Sequence, residues 1–316
     1  MTAAEKSPKP FFDGVDPVTL CTPEADRAVE LYAEGLGFTI ASRRRWPADP
    51  WRQLWGLPDG DDPWVTDLVK DRAHGGGIRI VEAPELPIVE GGRLPDVCGP
   101  YAWDFYVRDM DRAISRIESL GWRFRSEPQR YRLFGQEFEV VECMLEAPQG
   151  LLHAFVEYLP DRHRCVLGTD PQAQVSEVIA LVVVVPEITV PLRGMVEGLG
   201  ADVAMDETFS GPEVERLLDL PPDSSFRMAL MRGPSRRSAR FELLECLIGG
   251  QGVSPRHPHV IAPMPVGEVD VAVSKAVEQG MTVTAHGEID GGAAALLELS
   301  PGVRLLLQAD EALGLT

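Results

Sequence analysis

Two side chains that could transfer protons lie in one short apolar segment, Trp103–Val107. Strand alternation places Asp104 and Tyr106 on one face of this segment and its apolar residues on the other. A carboxylate is costly to bury without a partner, so Asp104 is a candidate general base or ligand-binding group. A hydrogen bond to Tyr106 or to a backbone amide explains Asp104 equally well.

His153 is the candidate partner of Asp104, because imidazole is the commonest proton carrier near neutral pH. Simple alternation directs His153 away from Asp104 if Ala154 faces the same side as Asp104. The apolar residues that alternate with His153 instead suit a helix-covered face, and a bulge at Gly150 would turn His153 toward Asp104. We favour the second interpretation and predict that Asp104, His153 and Tyr106 are catalytic; a structural histidine is the alternative.

A guanidinium and a group of indoles could bind the substrate. Arg79 lies in the strand-like segment 78–82, where it could receive a ligand carboxylate or phenolate or pair with Asp104 instead. Four of the six tryptophans fall within 19 residues, and we predict that they contact a flat apolar ligand: Trp46, Trp51, Trp55 and Trp64. The alternative is that these indoles pack against the other half of the chain.

An internal repeat indicates which elements position these residues. Pro23 aligns with Pro186 and Gly35 with Gly198, both at an offset of 163. A second similarity, at an offset of 159, relates Gly121 to Gly280. The sequence therefore contains four related units, which start near residues 15, 100, 177 and 259.

Each unit has the same order of patterns. An apolar strand leads into a turn rich in Pro, Asp or Glu, and an amphipathic helix follows that ends at glycine. About three further strands complete the unit. The predicted fold class is α+β, with four β-α-β-β-β units.

This repeat resembles the vicinal oxygen chelate superfamily, which has the glyoxalase, bleomycin-resistance and extradiol dioxygenase fold. The similarity is carried by the segments 23–28 and 36–38, by 107–113 with 120–121, and by the turn 147–152. It implies that paired units form cup-shaped half-barrels, and that four units form two cups. One fold hosts many reactions, so the resemblance says little about chemistry.

Metal-dependent members of that superfamily place His on the first strand of a unit and Glu on the last. The aligned residues here are all unable to bind a metal through their side chains: Pro17, Ala102, Ala180, Ile261, Ala154 and Leu306. We therefore expect no metal and no other cofactor. The alternative is a misaligned site that uses His259 with Glu242 or Glu245.

Composition restricts the possible partners. The 316 residues carry a formal net charge of −19, which argues against a nucleic-acid or anionic-membrane partner. Five widely spaced cysteines without a C-x-x-C pair indicate a reducing, cytoplasmic location. We expect a flexible tail at 1–14 without a secretory signal and glyoxalase-like domains at 15–165 and 166–316.

These observations favour a metal-independent enzyme, a lyase or isomerase acting on a small, aromatic or polyketide-like molecule. The rival hypotheses are a drug-sequestering protein without catalysis and a divalent-metal dioxygenase or glyoxalase-like enzyme. We expect the first half to provide the working cup, since the candidate residues lie there. A small-molecule ligand is the expected partner, and the sequence leaves a homodimer open.

Overall fold

The computed structural model describes residues 12–58, 60–135, 137–160, 165–234, 239–247, 254–255, 260–289 and 291–309. These residues form four successive units of a strand, a helix and further strands, as the repeat predicts.

The first half contains units 1 and 2. Unit 1 comprises β1 (Val18–Thr22), α1 (Ala25–Glu30) with a π-helical turn (Leu31–Gly35), β2 (Thr39–Arg45), α2 (Ala48–Trp55), β3 (Trp64–Val69) and β4 (Ile78–Glu82). Unit 2 comprises β5 (Val97–Val107), α3 (Met110–Ser119), β6 (Gln129–Leu133), β7 (Phe138–Glu146), a 3-10 turn (Pro148–Gly150) and β8 (Leu152–Leu159).

The second half repeats this order after the short helix α4 (Val166–Thr169). Unit 3 comprises β9 (Val175–Val184), α5 (Thr189–Arg193) with a π-helical turn (Gly194–Gly198), β10 (Asp202–Ser210), α6 (Pro212–Leu218), β11 (Ser225–Arg232) and β12 (Arg240–Cys246). Unit 4 follows the two-residue strand β13 (Ser254–Pro255) and comprises β14 (Val260–Val266), α7 (Val269–Glu278), β15 (Thr282–Ile289), β16 (Gly292–Ser300) and β17 (Val303–Ala309).

Two curled sheets form the two cups, and each sheet combines units from both halves. Units 4 and 1 form one sheet in the order β15-β16-β17-β14-β1-β4-β3-β2. Units 3 and 2 form the other in the order β10-β11-β12-β9-β5-β8-β7-β6, to which β13 adds beside β5. We call these the 1–4 cup and the 2–3 cup. The expectation that the first half provides one cup by itself is therefore wrong. The domain boundary between residues 165 and 166 remains a prediction, which rests on the sequence repeat.

Helices connect the units within each half. A Cβ on Gly35 would lie 2.9 Å from a methyl of Ile117 in α3, and one on Gly198 would lie 3.2 Å from the Cα of Ala276 in α7. Glycine thus permits close helix packing at equivalent places. Gly37 and Gly200, two residues further on, both take the left-handed conformation, with φ of 74° and 75°. The Gly-Leu-Gly repeat therefore marks one turn in both halves.

Strand alternation separates three apolar clusters. A central core joins the helices to one face of both sheets and includes residues of all four units. The opposite faces line the two cups. The first strand of unit 3, β9, is buried along its whole length. It lies between β12 and β5, and both of its faces are covered.

The 1–4 cup is filled by its own side chains. Trp46 and Trp55 are buried and meet edge to face, with ring centroids 6.2 Å apart. They pack with apolar residues of unit 4, such as Leu296 and Leu306. Trp46 and Trp55 therefore pack against the other half of the chain, which was the alternative to ligand contact for the tryptophan cluster.

The described chain begins inside the predicted tail. Phe12 is fully buried, and its backbone N–H donates to the Leu199 carbonyl oxygen over 2.7 Å. Residues 12–14 therefore belong to the packed structure, which corrects the predicted C-terminal limit of the tail. Residues 1–11 lie outside the described residues. No helix in the described ranges is long and apolar enough to cross a membrane.

We predict that Trp55→Leu, which copies the equivalent residue Leu218, lowers the free energy of unfolding by about 2–4 kcal/mol because it leaves a cavity. Urea denaturation measures this loss. Trp64→Leu is the control, because Trp64 is 37% exposed, and we expect it to cost less than about 1 kcal/mol. Equal losses in the two variants would contradict the filled cup.

Candidate functional site in the 2–3 cup

The 2–3 cup encloses a cavity with an empty volume of about 740 Å³, counting the space at its mouth. Its walls are apolar and include Phe209 and Phe226, whose rings stack with centroids 5.3 Å apart. Leu217 and Leu218 of α6 cover one side. Leu218 stands where the 1–4 cup has Trp55, and the smaller side chain leaves space that the indole occupies there.

Three carboxyl side chains line this cavity from different strands. Asp104 comes from β5, Glu142 from β7 and Glu242 from β12. Asp104 has alanines beside it in register, Ala154 on β8 and Ala180 on β9. Both glutamates are 7% exposed, whereas Asp104 is half-buried. Small neighbours thus give a ligand access to Asp104.

Arg240 supplies positive charge to the same wall, two residues before Glu242 on β12 and hence on the same face. Its guanidinium donates to the Tyr106 hydroxyl over 2.6 Å and to the Ile179 carbonyl oxygen over 3.3 Å. The guanidinium also lies 5.8 Å from the centre of the Tyr106 ring. Tyr106 in turn meets Tyr158 edge to face at 5.2 Å.

Burial makes the carboxyl groups weak acids. It raises the pKa of Asp104 to about 7, although the charge of Arg240 works against this. Burial, followed by the charge of Asp104, raises the pKa of Glu142 to about 8, while the hydrogen bond from the Tyr131 hydroxyl lowers it. The pKa of Glu242 is also raised well above its usual value, first by burial and then by the two other carboxylates. Near neutral pH the cavity therefore contains both a proton acceptor and proton donors.

The structure places Asp104 and Tyr106 in the cavity, as strand alternation predicts. Their catalytic roles remain predictions. His153 lies on the opposite face of the sheet, beside Trp103 in register, so the prediction that it faces Asp104 is wrong. The irregular turn ends before β8 begins, and regular alternation along β8 then directs Ala154 into the cup and His153 into the central core.

His153 is a buried structural residue. Its ring stacks on Trp103 with centroids 5.4 Å apart, and its Nε2 lies 3.0 Å from the Tyr32 hydroxyl oxygen. Its Nδ1 lies 2.8 Å from the Leu152 carbonyl oxygen. Burial lowers its pKa to about 3, so the imidazole is neutral at physiological pH and tied to the core.

The predicted substrate-binding residues belong to unit 1, which contributes to the other sheet. Arg79 pairs with Asp67, with 2.7 Å between Nε and Oδ1, and its guanidinium lies 4.6 Å from the centre of the Trp46 ring. The proposed pairing of Arg79 with Asp104 is therefore wrong. Trp64 lies on β3 of that sheet; Trp51 lies in α2, and its side chain is outside the described part. The structure does not bring Arg79, Trp46, Trp55 or Trp64 to Asp104.

Sequence reasoning missed most of the polar groups in the cavity. Glu142 sits among Val140, Val141 and Cys143 in the middle of β7, and an acid with apolar neighbours in mid-strand is the same signal that identified Asp104. Glu242 was considered as a metal ligand alone, because its strand was assigned to another cup. Arg240 carried no local signal.

Comparison with known proteins agrees with this fold. The family model described as Glyoxalase/Bleomycin resistance protein/Dioxygenase superfamily matches residues 14–152. Over those residues the chain is similar to this superfamily. No curated protein sequence matches the chain.

Solved structures resemble the chain over both halves. Glyoxalase I from Zea mays has a TM-score of 0.65 and 12% identity, over 94% of this chain and 92% of that one. A provisionally assigned dioxygenase from Bacillus subtilis has a TM-score of 0.61 and 14% identity, over 98% of this chain and 91% of that one. At such low identity the likeness shows the glyoxalase-like fold alone.

The residues present do not fit the divalent metal of metal-dependent members of the superfamily. In the 2–3 cup the first-strand positions carry Ala102 and Ala180, and the last-strand positions carry Ala154 and its counterpart in unit 3, Glu242, so one of these four residues can bind a metal. Within the described ranges, no three His, Cys, Asp or Glu side chains are grouped so as to hold a metal ion. The carboxyl groups of the cavity also share their wall with the Arg240 guanidinium. His259, the alternative ligand, lies outside the described residues.

We predict that Glu142→Gln stabilises the protein at high pH. A carboxyl whose pKa is raised on folding to about 8 weakens the folded state once pH exceeds the unfolded pKa of about 4.3, and the loss is complete above the folded pKa. Removing the ionisable group should therefore raise the free energy of unfolding by about 1–3 kcal/mol at pH ~9 and leave it nearly unchanged at pH ~4.

Urea denaturation as a function of pH measures this difference. Glu118→Gln, on the exposed face of α3, is the matched control, and its effect should not change with pH. A Glu142→Gln variant that is destabilised more at high than at low pH would contradict the assigned environment.

Proposed function

We propose that the protein is an enzyme that transfers protons within a small organic molecule bound in the 2–3 cup, without a metal. The observation that carries this proposal is the position of Asp104. This carboxyl faces a cavity with apolar walls, has a pKa of about 7, and is accompanied by carboxyl groups with raised pKa values. A base with a pKa near the operating pH is the most effective general base.

Asp104 and Glu242 have complementary roles in this proposal. The Asp104 carboxylate removes a proton from the ligand, and the protonated Glu242 returns a proton at another atom, which corresponds to an isomerisation. If the second proton transfer expels a leaving group, the reaction is an elimination by a lyase. Protons then exchange through the mouth of the cavity, which resets both groups. Arg240, held by Tyr106, stabilises negative charge that develops on the ligand.

The walls support a substrate with an apolar or aromatic body. Phenylalanine, methionine and leucine side chains make up about half of the lining, and tyrosine, alanine and valine supply most of the rest. An aromatic or polyketide-like molecule fits these walls. All five cysteines are free, which supports the proposed cytoplasmic location.

Sequestration without turnover is the second candidate. Carboxyl groups outnumber the guanidinium in this cavity, which favours capture of an organic cation through charge alone. Catalysis distinguishes the two candidates, because sequestration needs the cavity but no proton transfer.

We predict that the wild-type protein accelerates hydrogen–deuterium exchange at carbon acids that fit the cavity, with 2-tetralone and related aryl ketones as the panel. Proton NMR in D₂O measures the exchange. The rate should increase with pH and level off above the pKa of Asp104, because the ionised carboxylate is the base. Asp104→Asn should lower the protein-dependent rate by about 10²–10⁴-fold.

Glu118→Gln is again the control and should exchange at the wild-type rate. Full activity in Asp104→Asn would show that Asp104 is not the base. Binding of the ketones without any acceleration would reject catalysis in favour of sequestration.

A further inference from the structure

The charges in the 2–3 cup are unbalanced. Asp104, Glu142 and Glu242 face Arg240, which is the one cationic side chain among the described residues that line the cavity. The equivalent wall of the 1–4 cup differs, because it has Arg79 where the 2–3 cup has Glu242. Arg79 pairs with Thr19 of β1, and Glu242 pairs with Val182, the corresponding residue of β9. At this position the 2–3 cup thus carries an acid where the 1–4 cup carries a base.

Two of the three acids accept no hydrogen bond from the described residues. Glu142 accepts one from Tyr131, whereas Glu242 and Asp104 have electrostatic neighbours but no donor. Arg240 directs its donors to Tyr106 and to a backbone carbonyl instead. Glu242 is 7% exposed, and a carboxyl group so deeply buried without a donor is unfavourable unless a ligand or water supplies one.

Tyr101 of β5 also lines the cavity, but its buried hydroxyl has Arg125, Cys246 and Asp219 as electrostatic neighbours rather than the three acids. The cavity therefore presents two acceptor groups, the Asp104 and Glu242 carboxylates, that a ligand could engage.

An ammonium group matches these acceptors better than a neutral group does. It offers three donors and a positive charge, so it can bond to both carboxylates and reduce the repulsion between them. Aromatic rings such as Phe209 and Phe226 also attract a cation through their faces. A ligand carboxylate would instead face three acids and one guanidinium.

We propose that the 2–3 cup binds a primary organic amine in its protonated form, with the ammonium between Asp104 and Glu242 and an aromatic body against the apolar walls. This inference rests on the proposed function for the location of the site and narrows its ligand to a cationic aromatic amine.

Binding of such a cation is coupled to proton release. The cation favours the ionised form of the carboxyl groups, so protons leave the cavity on binding and affinity increases as pH rises from about 6 to about 8. The groups that face the two acids from the surrounding elements are tyrosines, one further acid and one arginine: Tyr106 of β5, Tyr131 of β6, Glu142 of β7, Tyr158 of β8 and Arg240 of β12. The lining residues of β9, β10, β11 and α6 are apolar.

Isothermal titration calorimetry with three probes of one shape tests the proposal: 2-naphthylmethylamine, 2-naphthylmethanol and 2-naphthoate. At about pH 8 the amine should bind at least about tenfold more tightly than the alcohol, and the carboxylate should bind most weakly. The heat measured for the amine should change with the ionisation enthalpy of the buffer, since protons are released. That measurement needs no variant.

Glu242→Gln separates site binding from general attraction to an acidic protein. It should remove most of the preference for the amine and leave the affinity for the alcohol unchanged, whereas Glu118→Gln should preserve both. Equal binding of amine and alcohol, tighter binding of the carboxylate, or no binding of any probe would overturn the inference. Failure of the proposed catalysis alone gives a different result. In that case the protein still binds the amine more tightly than the alcohol, but its ketone exchange rate does not depend on Asp104.

Discussion

The antiparallel contact between first strands of opposite halves is the interaction on which the rest of the structure depends. In the 2–3 cup, β5 of unit 2 pairs with β9 of unit 3, so that Asp104 lies opposite Ala180. In the 1–4 cup, β1 pairs with β14. These contacts cover strand edges that would otherwise be exposed. They also bring Asp104 and Glu242, which are far apart in sequence and belong to different halves, into one cavity.

The two cups show how similar scaffolds can be closed or open. Their strand registers correspond, yet Trp46 and Trp55 fill one cup where Phe209 and Leu218 leave space in the other. The charged positions diverge in the same way. Arg79 is satisfied by Asp67 in the filled cup, whereas Glu242 lacks a donor among the described residues of the open one. We infer that one cup stabilises the fold, and that the other retains polar groups that are costly without a ligand.

Local sequence patterns predicted the units, the class of fold and one face of β5. Alternation was sufficient for Asp104 and Tyr106, because β5 pairs with β8 in unbroken register there and carries polar residues on one side. The same rule placed His153 correctly, but the apolar residues around it suggested a covering of helices. The apolar face of β8 is in fact the cup face, since the walls of the cup are themselves apolar. Composition of a strand therefore cannot identify its cup side when the cavity is built for an apolar ligand.

Pairing of the units could not be predicted from the same patterns. The first strand forms an edge of each unit's own group of strands, and nothing in its residues specifies whether that edge pairs with the neighbouring unit or with one from the other half. Pairing unit 1 with unit 2 predicts that the tryptophans and Arg79 lie beside Asp104. The same pairing assigns Glu242 and Asp104 to different cups. The site becomes evident when the sheet order is known.

A crystal structure of the protein soaked with 2-naphthylmethylamine tests the central claim most directly. The account predicts that the naphthyl ring occupies the 2–3 cup, with its nitrogen within hydrogen-bonding distance of Asp104 and Glu242, while Trp46 and Trp55 keep their positions. Density for the ligand between Trp46 and Trp55 in the 1–4 cup, with the 2–3 cup unliganded, would contradict it.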